Sequence, residues 1–600
     1  METYSGREKT GAFKGFTGKW NIICLALVVC LALWLDIWGI TMGLPSCERL
    51  RQSIGKPENV EQVLPEIRAF MQRGGVDRTE FVDKTDNMNF IELSRFSPYF
   101  DQVRSYNPDE FYTLKTLAGM VKRRDILPRS YIYGSFYMYQ VGAALAVGRA
   151  VGYLPKQAGL GYYLMNPKEF ARFYICGRIL CLIYGVLAVV VTFLVGYRLG
   201  KTPLAVFAAT FLACMPLVAL ASKFIKPDAP VLFWTAMVLL VSLPILERNK
   251  WIDYLLSGIC IGLAAGCKYP AAFSALYPVT FHLLRIGGKS YKSSKSKLFE
   301  ELMSRELLML VWAGVASIMT FIIVTPAVLL DFKTFFHDLN WIVSLSYDGP
   351  FFYNLLFNLS CMCNDAIFYT LGLFGVLAIV GGIVFVFIRP QKVWLGLLPM
   401  VLIFIFLASK GLPTSDAYLM PAFVPMALLA GRLILAPKWL WLKAVLSVIV
   451  LGSVLSYAIA WDHAAASENA RVTALRWINS NIQPGCSIAT LRYPVSYRVP
   501  IPNPAKYHLC SEQMDGKRAL RSDYYLDSSF QWTVEPSLLD HLSGVSTENE
   551  PRGYVKMMEF ENPPRAYFGL YELRRPHRVN LYFEAVAPRI ILYEKKAAKR

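Results

Sequence analysis

Charge is what this sequence has least of. Charged residues make up 18% of its 600 positions, against ~25% in an average soluble chain, while hydrophobic residues reach 55%. That shortage excludes an aqueous globular enzyme and a disordered chain. Histidine is scarce too: His282, His337, His463, His508, His541 and His577 stand far apart, without metal-ligand spacing. The twelve cysteines form no CxxC pair, and Cys24, Cys30, Cys176, Cys181, Cys214 and Cys260 lie in apolar runs, where thiols usually serve as packing groups. Cys486 and Cys510 lie near the C-terminal end, where pairing and free thiols are both open readings. No GxxxxGK[ST] loop is present, which argues against ATP-driven transport by this chain. Acids are fewer than bases, 43 against 62, for a net charge of +19. Nucleic-acid binding would require those bases to form a face interleaved with aromatics. Here they punctuate apolar spans instead, as the positive-inside rule describes.

What is abundant is uncharged length. Runs such as 202–222 and 366–388 match the ~20 residues needed to cross a hydrocarbon core. The basic lead Arg7, Lys9, Lys14 and Lys19 precedes an apolar run from Asn21 to about Leu44, too long for a cleaved signal peptide. Further spans are expected at 173–197, 204–222, 230–246, 252–267, 269–284, 307–330, 366–388, 394–409, 418–435 and 444–460, giving about eleven. With the N-terminus inside, the inner segments hold 18 Lys/Arg and the short outer ones 5, the expected bias. Loop 285–306 is then cytoplasmic, whereas 45–171 and 462–600 lie outside. The stretch 131–153 is aromatic, rich in small residues and charged only at Arg149; it reads as a helix in the outer interface. Ser467–Ile482 has helical spacing with Ser467 as its expected N-cap, and strand-like runs follow at 488–491, 524–526 and 590–593.

The expected fold is therefore a polytopic α-helical membrane protein with a small α/β extracytoplasmic domain. Its parts are a cytoplasmic N-terminus at 1–20, a transmembrane domain at 21–461 and the extracytoplasmic domain at 462–600. Outer loop 45–171 belongs to the transmembrane domain.

Acids at a water boundary carry the most information in such a chain, because ionised groups are costly within lipid. In Asn107-Pro108-Asp109-Glu110, proline fixes the backbone before two adjacent carboxylates, either of which could serve as a general base; a solvated surface turn is the plainer reading. Asp228 sits between prolines in Lys226-Pro227-Asp228-Ala229-Pro230. It is expected on the same face as Asp109, or simply at a helix start favoured by the macrodipole. Lys268 separates two short apolar stretches, where it could hold a lipid phosphate as a point charge or snorkel at an ordinary loop. Asp36, inside the first span, calls for a partner on a neighbouring helix. Arg172 and Arg178 open the second span.

Together these pieces resemble the C-type membrane glycosyltransferase (GT-C) superfamily, in its protein mannosyltransferase and aminoarabinose transferase branch. Asn107–Phe111 is similar to the acidic motif of that branch's first outer loop, and Tyr133-Gly134-Ser135-Phe136-Tyr137 to the aromatic segment after it. Arg178 through Arg198-Leu199-Gly200 resembles its second span, and 226–230 its second-loop acidic motif. Gly262-Leu263-Ala264 with Lys268-Tyr269, and Thr325-Pro326 with Leu330-Asp331-Phe332, also fit. The resemblance implies transfer of a sugar from a polyprenyl-phosphate donor to a lipid, glycan or protein acceptor at the outer face of a bacterial inner membrane. It implies Asp109 as catalytic base, with Glu110 in support and Asp228 orienting substrate or binding a divalent cation where one is used; no cofactor is otherwise called for. Arg178, Lys226, Lys268, Lys410 and Tyr418 are the implied donor-binding residues. Many relatives carry arginine or another strong polar group before the position of Tyr418, where this chain has Ser415-Asp416-Ala417; if that arginine meets donor phosphate, another cation such as Lys410 or Lys268 is expected to take its place. The alternative is a secondary transporter or lipid flippase, which would show internal repeats and midplane polar groups.

Overall fold

The computed structural model describes residues 18–72, 96, 98–155, 159–248, 250–290, 305–344, 356, 359–360, 369–410, 416–491, 495–511, 519, 521–529, 553–573 and 581–596. Seven of its helices are long and apolar enough to cross a membrane, and Trp251–Cys267 and Gly372–Ile388 are shorter apolar helices. The protein is a multi-pass helical membrane protein. The stretch Pro167–Ala213 is two helices that meet at a break at Gly200 and Lys201; they carry the expected span 173–197 and the first part of 204–222, which continues as the short helix Pro216–Ala221. Lys201 takes a left-handed φ of 61°, and Pro203 two residues later disfavours an uninterrupted helix there. The expected span 269–284 begins instead as a 3-10 helix, Tyr269–Ala275, and continues as helix Leu276–Ser290.

Interhelical contact relies on small residues, as is usual where lipid removes the hydrophobic drive between helices. Trp251–Cys267 lies so close to Arg305–Val324 that a Cβ on Gly258 would sit 2.2 Å from the Ala313 carbonyl oxygen. The segment 131–153 forms a helix over Ser135–Ala150, as its composition predicts. Gly134, just before it, donates its N–H to the Cys267 carbonyl at 3.1 Å. A Cβ there would stand 1.9 Å from the Gly266 oxygen, so only glycine allows these two chain segments to touch.

Helix Leu440–Ala466 leads into a small α/β unit. The helix that follows spans Ala470–Asn481, capped by Asn469, whose side chain accepts from the Arg471 N–H. This corrects the expected cap. Ser467 closes the preceding helix instead, donating its N–H to the His463 carbonyl. The three expected strand runs appear as β1 (Ser487–Thr490), β3 (Tyr524–Ser528) and β7 (Ile590–Lys595); β2 (His508–Ser511) and β4 (Tyr554–Phe560) complete a sheet of order β2-β1-β3-β7-β4, while β5 (Arg565–Ala566) and β6 (Tyr571–Glu572) pair in a separate two-stranded sheet. β1 runs parallel to β2 and β3, whereas β7 is antiparallel to β3 and β4. Ile478, Ile488, Leu526, Ile590 and Leu592 form the core between helix and sheet. Cys486 and Cys510 are both free thiols.

Candidate active site

The acidic pair lies in the first turn of helix Pro108–Arg123. Asn107 caps that helix by accepting from the Asp109 N–H at 3.1 Å, and proline at the first position suits both the cap and the fixed φ. Because adjacent helical residues diverge by ~100°, the two carboxylates point different ways.

Glu110 points inward. Its oxygens accept from Arg178 Nε at 2.8 Å and Nη2 at 2.6 Å, and one also accepts from the Ile225 N–H at 2.9 Å. Arg178 Nη1 donates to the carbonyls of Ile40 and Met42. Both side chains are 0% exposed. Arg178 was expected at donor phosphate and Glu110 beside the base. The structure instead commits both to each other and to backbone, tying the first outer loop, the second span and the 223–227 turn together.

Asp109 points outward and is 26% exposed. Its carboxylate meets Lys226 Nζ at 2.8 Å, and the Lys226 ammonium lies over the Tyr582 ring, 4.4 Å from its centroid. The Tyr582 hydroxyl donates to one Asp228 oxygen at 2.5 Å, and Lys268 Nζ donates to the other at 2.8 Å. Lys268 in turn stands 4.5 Å over the Tyr418 ring. The result is a continuous network of two carboxylates and two ammonium groups, the latter backed by aromatic faces. Asp109, Lys226, Asp228, Lys268 and Tyr418 are thus brought together from four separate stretches of sequence. The Lys410 side chain falls outside the described residues.

Burial opposes a charged Lys226, but Asp109 and Asp228 outweigh it and hold its pKa above the ordinary lysine value. Burial, then Asp109 and Asp228, push the Tyr133 hydroxyl well above the usual tyrosine range. Burial and Asp228 do the same for Tyr582, so both phenols keep their protons, and Tyr582 serves as a neutral hydrogen-bond donor. No group of three or more metal-ligating side chains occurs among the described residues.

Sequence reasoning missed Tyr582. It belongs to the short helix Leu581–Val586 of the C-terminal unit, which carries no motif. Tyr133 lay within the quoted aromatic segment without being singled out. Asp36 finds partners on a neighbouring segment, as expected, away from this network. It is buried beside Lys223, whose ammonium meets Asp462 at 2.6 Å, with Ser222 as its hydrogen-bond partner.

A polytopic helical bundle with a small C-terminal α/β unit is the fold class expected from the sequence. Residues 174–329 match the family model for dolichyl-phosphate-mannose-protein mannosyltransferase. That matched segment holds Arg178, Lys226, Asp228 and Lys268. No curated protein sequence matches the chain. Among solved structures, the chain is similar to the Archaeoglobus fulgidus oligosaccharyltransferase, determined with Zn and sulfate. Identity is 16%, coverage 68% of this chain and 61% of that one, and the TM-score 0.36. It is also similar to ArnT from Cupriavidus metallidurans bound to undecaprenyl phosphate, at 13% identity and TM-score 0.38 over 85% of this chain and 98% of that one. The apo form of that ArnT gives 10% and 0.35 over 97% and 98%.

Proposed function

We propose that this protein is an integral-membrane glycosyltransferase that moves a sugar from a polyprenyl-phosphate donor to an acceptor at the outer face of the cell membrane. The observation that carries this reading is the Asp109–Lys226–Tyr582–Asp228–Lys268 network, in which a partly exposed carboxylate adjoins two ammonium groups. Such a set can take a proton from an acceptor and receive an anionic leaving group.

In the proposed reaction, the donor phosphate settles against Lys226 and Lys268. The phosphate draws Lys226 away from Asp109 and leaves that carboxylate free to accept a proton. Asp109 takes the proton of an acceptor hydroxyl or amine as the acceptor atom bonds to the anomeric carbon. The bond from that carbon to the phosphate oxygen breaks, its electron pair leaving on the phosphate. The two lysines stabilise the developing charge, the kind of electrostatic stabilisation that is usually the largest single term in enzyme catalysis. Asp228 orients Lys268. Glu110 and Arg178 act as a structural brace and touch no substrate.

The reading places 1–20 and 285–306 in the cytoplasm and the acidic loop and 462–600 outside, consistent with the basic-residue bias. A membrane-retained donor also removes any need for a nucleotide-binding domain. The test is transfer from a synthetic polyprenyl-phosphate sugar by purified protein. Asp109→Asn is expected to lower turnover ~10²–10⁴-fold, the usual contribution of a general base. Near wild-type turnover by folded Asp109→Asn would retire this mechanism.

A further inference from the structure

The C-terminal unit reads in sequence as a soluble appendage, yet one of its side chains lies at the centre of the charged network. Tyr582 is fully buried, packs against Phe224 with ring centroids 5.4 Å apart, and offers one face to Lys226 and its hydroxyl to Asp228. Its position is fixed from behind. Asn469 donates to the carbonyls of Ala585 and Val586, and Arg471 to those of Glu584 and Ala585. Phe583 packs on Trp461 with centroids 4.3 Å apart. Ser529 donates to the Glu584 carboxylate. This much anchoring of a six-residue helix holds one phenol in one place.

We propose that Tyr582 is a positioning residue that keeps Lys226 available for the donor phosphate; this rests on the transfer reading above. Asp228 has two oxygens and two ammonium groups nearby. Lys268 occupies one oxygen, and the Tyr582 hydroxyl occupies the other. Because the phenol is a neutral donor, it satisfies that oxygen without consuming a cation. Lys226 is left shared between Asp109 and the ring face, where an arriving phosphate can capture it. Without the hydroxyl, the free Asp228 oxygen becomes the stronger competitor, since a carboxylate–ammonium bond exceeds a cation–π contact. Lys226 then turns toward Asp228 and away from the phosphate. The C-terminal unit thereby sets donor affinity through one side chain on a buried hydrogen bond.

The test is a double-mutant cycle on lipid binding, using the full-length protein in nanodiscs and undecaprenyl phosphate as the probe. Tyr582→Phe preserves ring, volume and the Lys226 face, and a melting curve checks the fold. Tyr582→Phe is expected to weaken undecaprenyl-phosphate binding about tenfold, the scale of one charge-linked hydrogen bond. In a Lys226→Met background the same substitution is expected to cost less than about twofold, because the cation it acts through is gone. Equal penalties in both backgrounds, or wild-type affinity in Tyr582→Phe, would overturn the proposal and leave the transfer reading standing. A wild-type protein that does not bind undecaprenyl phosphate at all would overturn the transfer reading, and this proposal with it.

Discussion

Two neighbouring carboxylates should fail in opposite ways when each is made an amide. Glu110 accepts three hydrogen bonds, two from Arg178 and one from the Ile225 N–H, inside a pair that is 0% exposed. Glu110→Gln keeps the shape but holds a single acceptor oxygen. If that oxygen faces Arg178 Nε and Ile225, the new NH2 meets Nη2; if the amide flips, it meets Nε and Ile225. Either orientation sets donor against donor and leaves the Arg178 charge buried without its counter-ion. Breaking such a pair from one side costs about 3–5 kcal/mol, or roughly 10²- to 10⁴-fold in the folded-to-unfolded ratio at ~1.36 kcal/mol per tenfold. Asp109→Asn, by contrast, disturbs a contact whose carboxylate is 26% exposed. Lys226 retains the Tyr582 ring and the nearby Asp228 charge, so the stability cost is about 1 kcal/mol or less. Denaturant titration in detergent, run beside single-turnover transfer on the folded fraction, separates the two. Glu110→Gln should unfold early while its folded molecules still react, and Asp109→Asn should stay folded and inactive. Wild-type stability in Glu110→Gln would refute the argument that Glu110 is a brace, and would return it to the catalytic candidates.

Replacing Lys226 or Lys268 with Met should each weaken undecaprenyl-phosphate binding about 10- to 100-fold, the value of a charge-assisted bond, as titration in nanodiscs will read. Gly134→Ala should destabilise the protein by about 1–3 kcal/mol through overpacking, because its Cβ would meet the Gly266 oxygen at 1.9 Å; a melting curve unchanged from wild type would count against that contact. In the C-terminal unit, the N–H and hydroxyl of Ser487 donate to Asp523 and hold its pKa below the ordinary ~3.9 of aspartate. A depressed folded pKa contributes stability that is present above the unfolded value and is lost as pH falls through the folded one. The unit should therefore loosen on acidification below about pH 4, and Asp523→Asn should flatten that limb while lowering stability at pH 7. Circular dichroism melts across pH 3–7 would check both effects.

Hydropathy marked the apolar helices, which have no other low-energy environment; against about eleven expected spans, the described residues hold seven helices long and apolar enough to cross a membrane and two shorter ones. Proline and asparagine before Asp109 marked a helix start with acids in its first turn, and that local chemistry holds in the structure. Strand composition likewise revealed β1, β3 and β7, whose alternating or continuous apolar runs are local signals. Their order in the sheet, and the pairing of β7 with both β3 and β4, depend on partners distant in the chain. The same limit applies at the site. Sequence showed that Asp109 and Glu110 were adjacent, but which one turned inward was decided by the phase of their helix against Arg178, 68 positions away from Glu110. Tyr582 and Asp228 are 354 positions apart, and nothing periodic in 581–586 marks it. Only the folding of the C-terminal unit onto the bundle puts that phenol on that carboxylate, because a hydrogen bond depends on distance in space, which the spacing of residues along a chain does not specify.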